Sequence, residues 1–174
     1  MLKKVLTTIL FFVITLAFTG CERSVITAQS LTPQFNKNSI HQASIELSVD
    51  GGKKVDILGI QEIGNEELFN AVKNTITTSK LFSTVLDKDA DYRLEIFVVK
   101  VGQPVAGRDM TVNVEFAWTL KKANQIVWQK SITTSSTKTS KEIEHAYNRV
   151  IAATEEASKN NIVEALEIIS QLQL

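Results

Sequence analysis

An α+β domain, built as a mainly antiparallel twisted sheet with two helices packed on one face and a long C-terminal helix, follows from two changes of apolar period along the chain. From Tyr92 to Ile132 apolar side chains recur at every second position, the spacing that puts them on one face of a strand. Around Leu68–Ile76, and again from Ile143 to Leu172, they recur at three- and four-residue steps, the spacing of a buried helical stripe. The order strand, helix, three-strand meander, helix leaves both helices to cover the same sheet face.

The elements can be justified in turn. Ile45, Leu47 and Val49 alternate with Ser44, Glu46 and Ser48, Asp50-Gly51-Gly52 reads as a turn, and Val55 to Ile60 follows, the whole reading as a hairpin or two short strands. Asn65 offers a cap for a helix whose Glu66 and Glu67 suit the positive end of the helix dipole. Phe69, Val72 and Ile76, with Leu68 and Ala71 beside them, form its buried stripe, and it ends near Lys80.

The strongest strand pattern is Val112, Val114, Phe116, Trp118 and Leu120, preceded by Tyr92, Leu94, Ile96 and Val98 and followed by Ile126, Trp128 and Ile132. Placing Val98 opposite Val114 and Leu94 opposite Trp118 gives every inner residue an apolar partner, and a slip of one residue would turn the whole set to solvent. Lys130 interrupts the third inner row and predicts an edge strand, where a lysine can reach water and discourage further pairing. Thr139 and Glu142 have capping-box spacing ahead of Ile143, Tyr147, Val150 and Ile151, then Ile162, Leu166, Ile169 and Leu172. The poor helix formers at Ser158–Asn161, "SKNN", predict a bend or break in that long run.

Ahead of this domain stands a leader. Lys3 and Lys4 precede an uncharged, mostly apolar run from Val5 to Phe18, followed by Thr19, Gly20 and Cys21, the only cysteine in the chain. A membrane-spanning helix needs about twenty apolar residues, and this run is shorter and meets Glu22 and Arg23 at once. It reads as an export signal over residues 1–20 that is cleaved. A single exposed thiol is otherwise an unfavourable feature in an exported protein.

Basic and acidic residues balance at 19 each, and loss of Lys3 and Lys4 with the leader leaves a small acidic excess. That argues against a nucleic-acid partner, which needs a basic patch to neutralise phosphates. The remaining chain of about 150 residues suits one domain, here taken as residues 44–174, and with one cysteine it has no internal disulfide. Residues 21–43 show no sustained period and read as a flexible tether, which as a coil would average roughly 25–30 Å between its ends.

Phe18-Thr19-Gly20-Cys21 resembles the lipobox of bacterial lipoproteins, in which the thiol receives a diacylglyceryl group before cleavage and the new N-terminal cysteine is acylated, palmitate being a typical chain. Several acyl chains on one residue, at about 0.8 kcal/mol per buried methylene, make a lasting anchor. Glu22, where retention in the inner membrane commonly has Asp, implies by the same resemblance the periplasmic face of the outer membrane. The segments "IGNEELFNAVKNTITTSKLFS", "DYRLEIFVVKVGQPVAGRDMTVNVEFAWTL" and "RVIAATEEASKNNIVEALEIISQL" together resemble a family of small, largely uncharacterised bacterial envelope lipoproteins. In architecture alone the chain is similar to auxiliary lipoproteins of lipid-trafficking ABC transporters and to lipoprotein activators of peptidoglycan synthases. Such likeness does not transfer an activity.

Candidates for chemistry are few. His41, in the tether, and His145, on the first turns of the last helix, read as surface histidines, without a second ligand at metal spacing. Asp87, Asp89 and Asp91 lack the glycine and terminal glutamate of a calcium loop and read as a solvated turn. No cofactor, metal or catalytic residue is assigned. Three functions from different classes follow: a non-catalytic interaction or assembly module with an envelope protein partner, a carrier or sensor holding lipid or another apolar ligand between helices and sheet, and a cell-envelope hydrolase. The first is favoured by the anchor and the lack of convergent catalytic groups; the second requires a cavity.

A contact surface for a partner can be placed. If Leu94, Ile96 and Val98 face the helices, Phe97, Val99 and Val101 face the other way, opposite Glu115, Asn113 and Thr111. This apolar strip is either covered by the N-terminal strands or tether, or forms a contact surface continuous with Pro104 and Arg108 in the glycine-rich loop "GQPVAGRDM".

Overall fold

The computed structural model describes residues 24–36, 41–56 and 60–174; the leader and Cys21 lie outside them. The elements are α1 (Ala28–Leu31), β1 (His41–Asp50), α2 (Asn65–Ser79), β2 (Phe82–Val85), β3 (Tyr92–Gly102), β4 (Met110–Lys122), β5 (Gln125–Lys138) and α3 (Ala146–Ser170). They form one five-stranded sheet in the order β2-β1-β3-β4-β5 with helices on one face. The fold class is the expected one: β3, β4 and β5 make a long antiparallel meander, which carries most of the pairing.

β1 departs from expectation. It pairs parallel to both β2 and β3, with Ile45 opposite Tyr92, Leu47 opposite Leu94 and Val49 opposite Ile96. Among the described residues no hairpin with β1 follows it. Beyond Gly51, at φ 80, the chain loops away, and of the stretch expected as a returning strand Val55 makes an isolated bridge to Gln61 while Asp56 accepts the Ile60 N–H at 2.7 Å. Parallel neighbours need a helical crossover, and α2 supplies it between β1 and β2.

α2 begins at Asn65, its expected cap, so the cap itself lies one residue earlier. Gly64 is the N-cap, and the Asn65 side chain instead accepts the Gly52 N–H at 2.7 Å, pinning the preceding loop. The helix ends at Lys80, which turns left-handed at φ 55. Leu68, Ala71, Val72 and Ile76 are buried as expected, but Phe69 is only partly so, with the Lys73 ammonium 5.7 Å from its ring.

The register of β3 on β4 is two residues from the expected one: Leu94 faces Leu120, Ile96 faces Trp118 and Val98 faces Phe116. Inner and outer faces survive such a shift because side-chain direction repeats every two residues. β5 is the sheet edge, and Lys130 reaches Glu164 on α3 at 3.2 Å.

α3 starts later than the expected capping box and does not break. Thr139 donates its N–H and hydroxyl to Glu142 at 2.8 Å each, but in a turn that precedes the helix, whose N-cap is His145. Arg149, buried, ties this turn down by donating to the Ile143 and Glu144 carbonyls at 2.9 and 2.6 Å. Across "SKNN" the helix is continuous because its polar side chains bond inward: Ser158 donates to the Thr154 carbonyl at 2.6 Å, and Asn161 donates to the Ile132 carbonyl at 2.7 Å while accepting the Trp118 indole N–H at 2.9 Å. Ala153, Ala157 and Ala165, all buried, let the helix lie close on the sheet.

The expected tether is largely part of the fold. Ile26, Leu31 and Phe35 join the hydrophobic core, and α1 packs between α2 and α3. Gln61 holds this segment by a two-way clasp, accepting the Ile26 N–H at 2.9 Å and donating to the Ile26 carbonyl at 3.1 Å. His41 is likewise interior. It opens β1, its Nε2 lies 3.0 Å from the Ile169 carbonyl, and its ring sits 4.9 Å from that of Phe82.

Candidate functional site

The face of the sheet away from the helices is open. On β4 and β5 it is a polar ladder in which Thr111 and Thr137 hydroxyls meet at 2.8 Å and Ser131 donates to Glu115 at 2.7 Å. Toward the end of the sheet where β3 starts, Arg93 is paired with Glu46, and Lys121 reaches Glu95 at 2.7 Å. Phe97 stands among these groups, 50% exposed, with Val99 at 47%.

Phe97 is exposed because its neighbours are small. Ala117 faces it across the strand, and on the other side its ring lies over Gly51, where a Cβ would come within 2.9 Å of the ring and 2.7 Å of the Val98 carbonyl. Ser48, Asp50, Glu95, Thr119 and Gln129 complete a surface groove of about 610 Å3 around it. The groove thus has an aromatic wall and a mixed polar rim.

The five residues expected to form this surface are only partly brought together. Val101 leaves it. A bulge between Val98 and Lys100 adds an unpaired residue at Val99, so Val101 pairs with buried Val114 and packs against the core. The expected cross-strand partners change with the register, since Phe97 faces Ala117 and not Glu115. Pro104 is half-buried in the loop between β3 and β4, and Arg108 turns toward the opposite strand's exit, its Nε 3.3 Å from the Ser140 hydroxyl. Phe97 and Val99 remain as the apolar centre.

The sequence reading missed Gln61 and Gln103. Gln103 donates at 2.9 Å to the Gln61 carbonyl and at 3.1 Å to the Thr154 hydroxyl, which joins the β3–β4 loop to the loop after β1 and to α3. Neither glutamine lies on a periodic stripe, so no pattern marked them. Burial and the nearby Asp56 raise the Glu62 pKa, and burial raises that of Glu155 on α3. Asp91 accepts the Ser44 N–H and hydroxyl, bonds that lower its pKa and fix the start of β3 beside β1. Among the described residues no cluster of His, Cys, Asp or Glu could hold a metal ion, and no helix is long and apolar enough to cross a membrane.

No family model matches the chain, and no curated protein matches it significantly. Solved structures do. Protein XCC0632 from Xanthomonas campestris, of the DUF330 family, is 16% identical with a TM-score of 0.58, covering 85% of this chain and 93% of its own. The hypothetical protein CT253 from Chlamydia trachomatis is 5% identical with a TM-score of 0.56, covering 74% of this chain and 96% of its own. At these identities the likeness is one of fold: each spans nearly its whole length on the same helix-and-sheet arrangement.

Proposed function

We infer that the chain is a lipid-anchored bacterial envelope protein, held through Cys21 at the periplasmic face of the outer membrane, and that its folded part is a non-catalytic interaction or assembly module. The observation that carries this reading is the open sheet face, where half-exposed Phe97 and Val99 stand on an otherwise polar surface. The signal-like leader and the lipobox-like Phe18–Cys21 support the address. A carrier would need space between helices and sheet, and that layer is occupied by Trp118, Phe116, Leu94, Ile96, Leu166 and Ile162, all buried.

Covering an exposed aromatic is worth roughly 25 cal/mol per Å2 before the costs of association. In-cell photocrosslinking from position 99 tests the reading, with Thr133 on the same face as a control. Phe97→Ser should abolish discrete crosslinks from position 99 while lowering stability by less than about 1 kcal/mol, because half of the ring is already in water. Unfolding of the variant would make Phe97 a core residue, and unchanged crosslinks would remove it from the contact.

A further inference from the structure

The path of the N-terminal segment orients the domain. Where β1 and β3 finish and α2 and α3 begin, three loops converge, the first described over residues 51–56 and 60–63, the others over 103–109 and 139–145. The chain enters at this same end, because Ile26 is clasped by Gln61, and it then runs past α1 toward Phe35, near Ser79 and Lys80 at the far end of α2. From Cys21 to Ser24 is three residue steps, at most about 11 Å of chain. An anchor at Cys21 therefore holds this end of the domain against the bilayer, and the wide standoff expected of a free tether is not available.

This end is also dressed for such a position. Val25, Val55 and Val105 are 57%, 55% and 77% exposed, and Val105 is the most exposed large apolar residue among those described. All three are tied to one hub: Val25 adjoins the clasped Ile26, Val55 bridges to Gln61, and Val105 lies two residues beyond Gln103, whose amide donates to the Gln61 carbonyl. Isolated surface valines need no explanation, but three on mutually bonded loops at the entry point of an anchored chain do. Charges in these loops are mixed, with Lys53, Lys54, Arg108 and Lys141 set against Asp56, Glu62, Asp109, Glu142 and Glu144.

We propose that this end is a membrane-contact surface, with Val25, Val55 and Val105 seated at the headgroup–acyl boundary of the phospholipid bilayer that carries the anchor. The inference rests on the reading of Cys21 as lipidated. Its attraction is apolar, since the mixed charges give no net pull toward anionic headgroups, so the contact is insensitive to salt. The open sheet face with Phe97 then stands roughly upright from the membrane, presented sideways to neighbours on the same surface.

The test uses the full lipidated protein in vesicles of phosphatidylethanolamine and phosphatidylcholine. Acylation occupies Cys21, leaving one free thiol in each of Val25→Cys, Val55→Cys, Val105→Cys and, at the opposite end, Val127→Cys, which is exposed beside the β4–β5 turn. With a polarity-sensitive fluorophore on each thiol, the first three should show a blue shift, loss of quenching by iodide, and quenching by lipid-borne nitroxides that persists at high salt. Val127→Cys should stay open to iodide. Equal iodide quenching at positions 105 and 127, with no nitroxide effect at either, overturns the contact. Intact mass of the same preparations separates the two ideas: an unacylated Cys21 overturns the anchor and the orientation with it, whereas an acylated Cys21 with aqueous labels overturns the orientation alone.

Discussion

Asn161 bears more of the structure than its place in a run of poor helix formers suggests. Its amide accepts the Trp118 indole N–H from β4 and donates to the Ile132 carbonyl of β5, with no exposure to solvent. Asn161→Leu keeps the branched four-atom outline of the side chain and raises helix propensity, yet it strands two buried polar groups that each cost about 1–3 kcal/mol when unpaired. The variant should lose about 2–4 kcal/mol in urea unfolding, and a loss below about 0.5 kcal/mol would show that the bonds carry no net stability. Ser158→Ala should differ, because Ser158 only donates back to its own helix at the Thr154 carbonyl, a bond that adds little. Helix propensity alone reads "SKNN" as a break; the bonds that outweigh it come from strands about thirty and forty residues away, so no local pattern contains them.

Among the elements, period was legible and partnership was not. The rows Tyr92–Val98 and Val112–Leu120 announced their inner faces, but a shift of two residues leaves every such row intact, and the loop geometry between Gly102 and Met110 decides between registers. The Val99 bulge has no apolar signature, which is why Val101 was placed on the outer face. β1 reads correctly as a strand, while its parallel neighbours depend on a crossover that only the assembled sheet specifies. The segment 24–36 was the least legible, since three buried side chains without a period resemble a linker. Burying Ile26, Leu31 and Phe35 contributes roughly 1.5–3 kcal/mol each, a large share of the 5–15 kcal/mol that typically separates folded from unfolded states. A soluble chain of residues 24–174 should therefore unfold cooperatively, and one of residues 41–174 should show loss of cooperativity or a midpoint lowered by most of that amount. Equal midpoints for the two would mean that the segment rests on the domain without stabilising it.

For the whole molecule, the weak point of the proposed contact surface is affinity. Phe97 and Val99 offer a small apolar centre ringed by Glu95, Asp50, Thr119 and Gln129, and contacts burying less than about 1,200 Å2 are characteristically transient. The proposed membrane anchor would compensate, because partners on one surface meet at an effective concentration far above their bulk value. The consequence is that the anchor and the sheet face should be jointly required. Cys21→Ser, exported to the same compartment, should unfold at the same midpoint as the acylated protein, because all the described core lies in residues 26–169. It should nevertheless lose its position 99 crosslinks as fully as Phe97→Ser does, although its Phe97 surface is untouched. Restoring attachment with an unrelated transmembrane segment fused ahead of Ser24 should restore those crosslinks, since proximity and not the acyl chemistry is what the patch lacks. If the soluble Cys21→Ser protein crosslinks as efficiently as the anchored one, the sheet face binds strongly by itself, and membrane confinement has no part in its action.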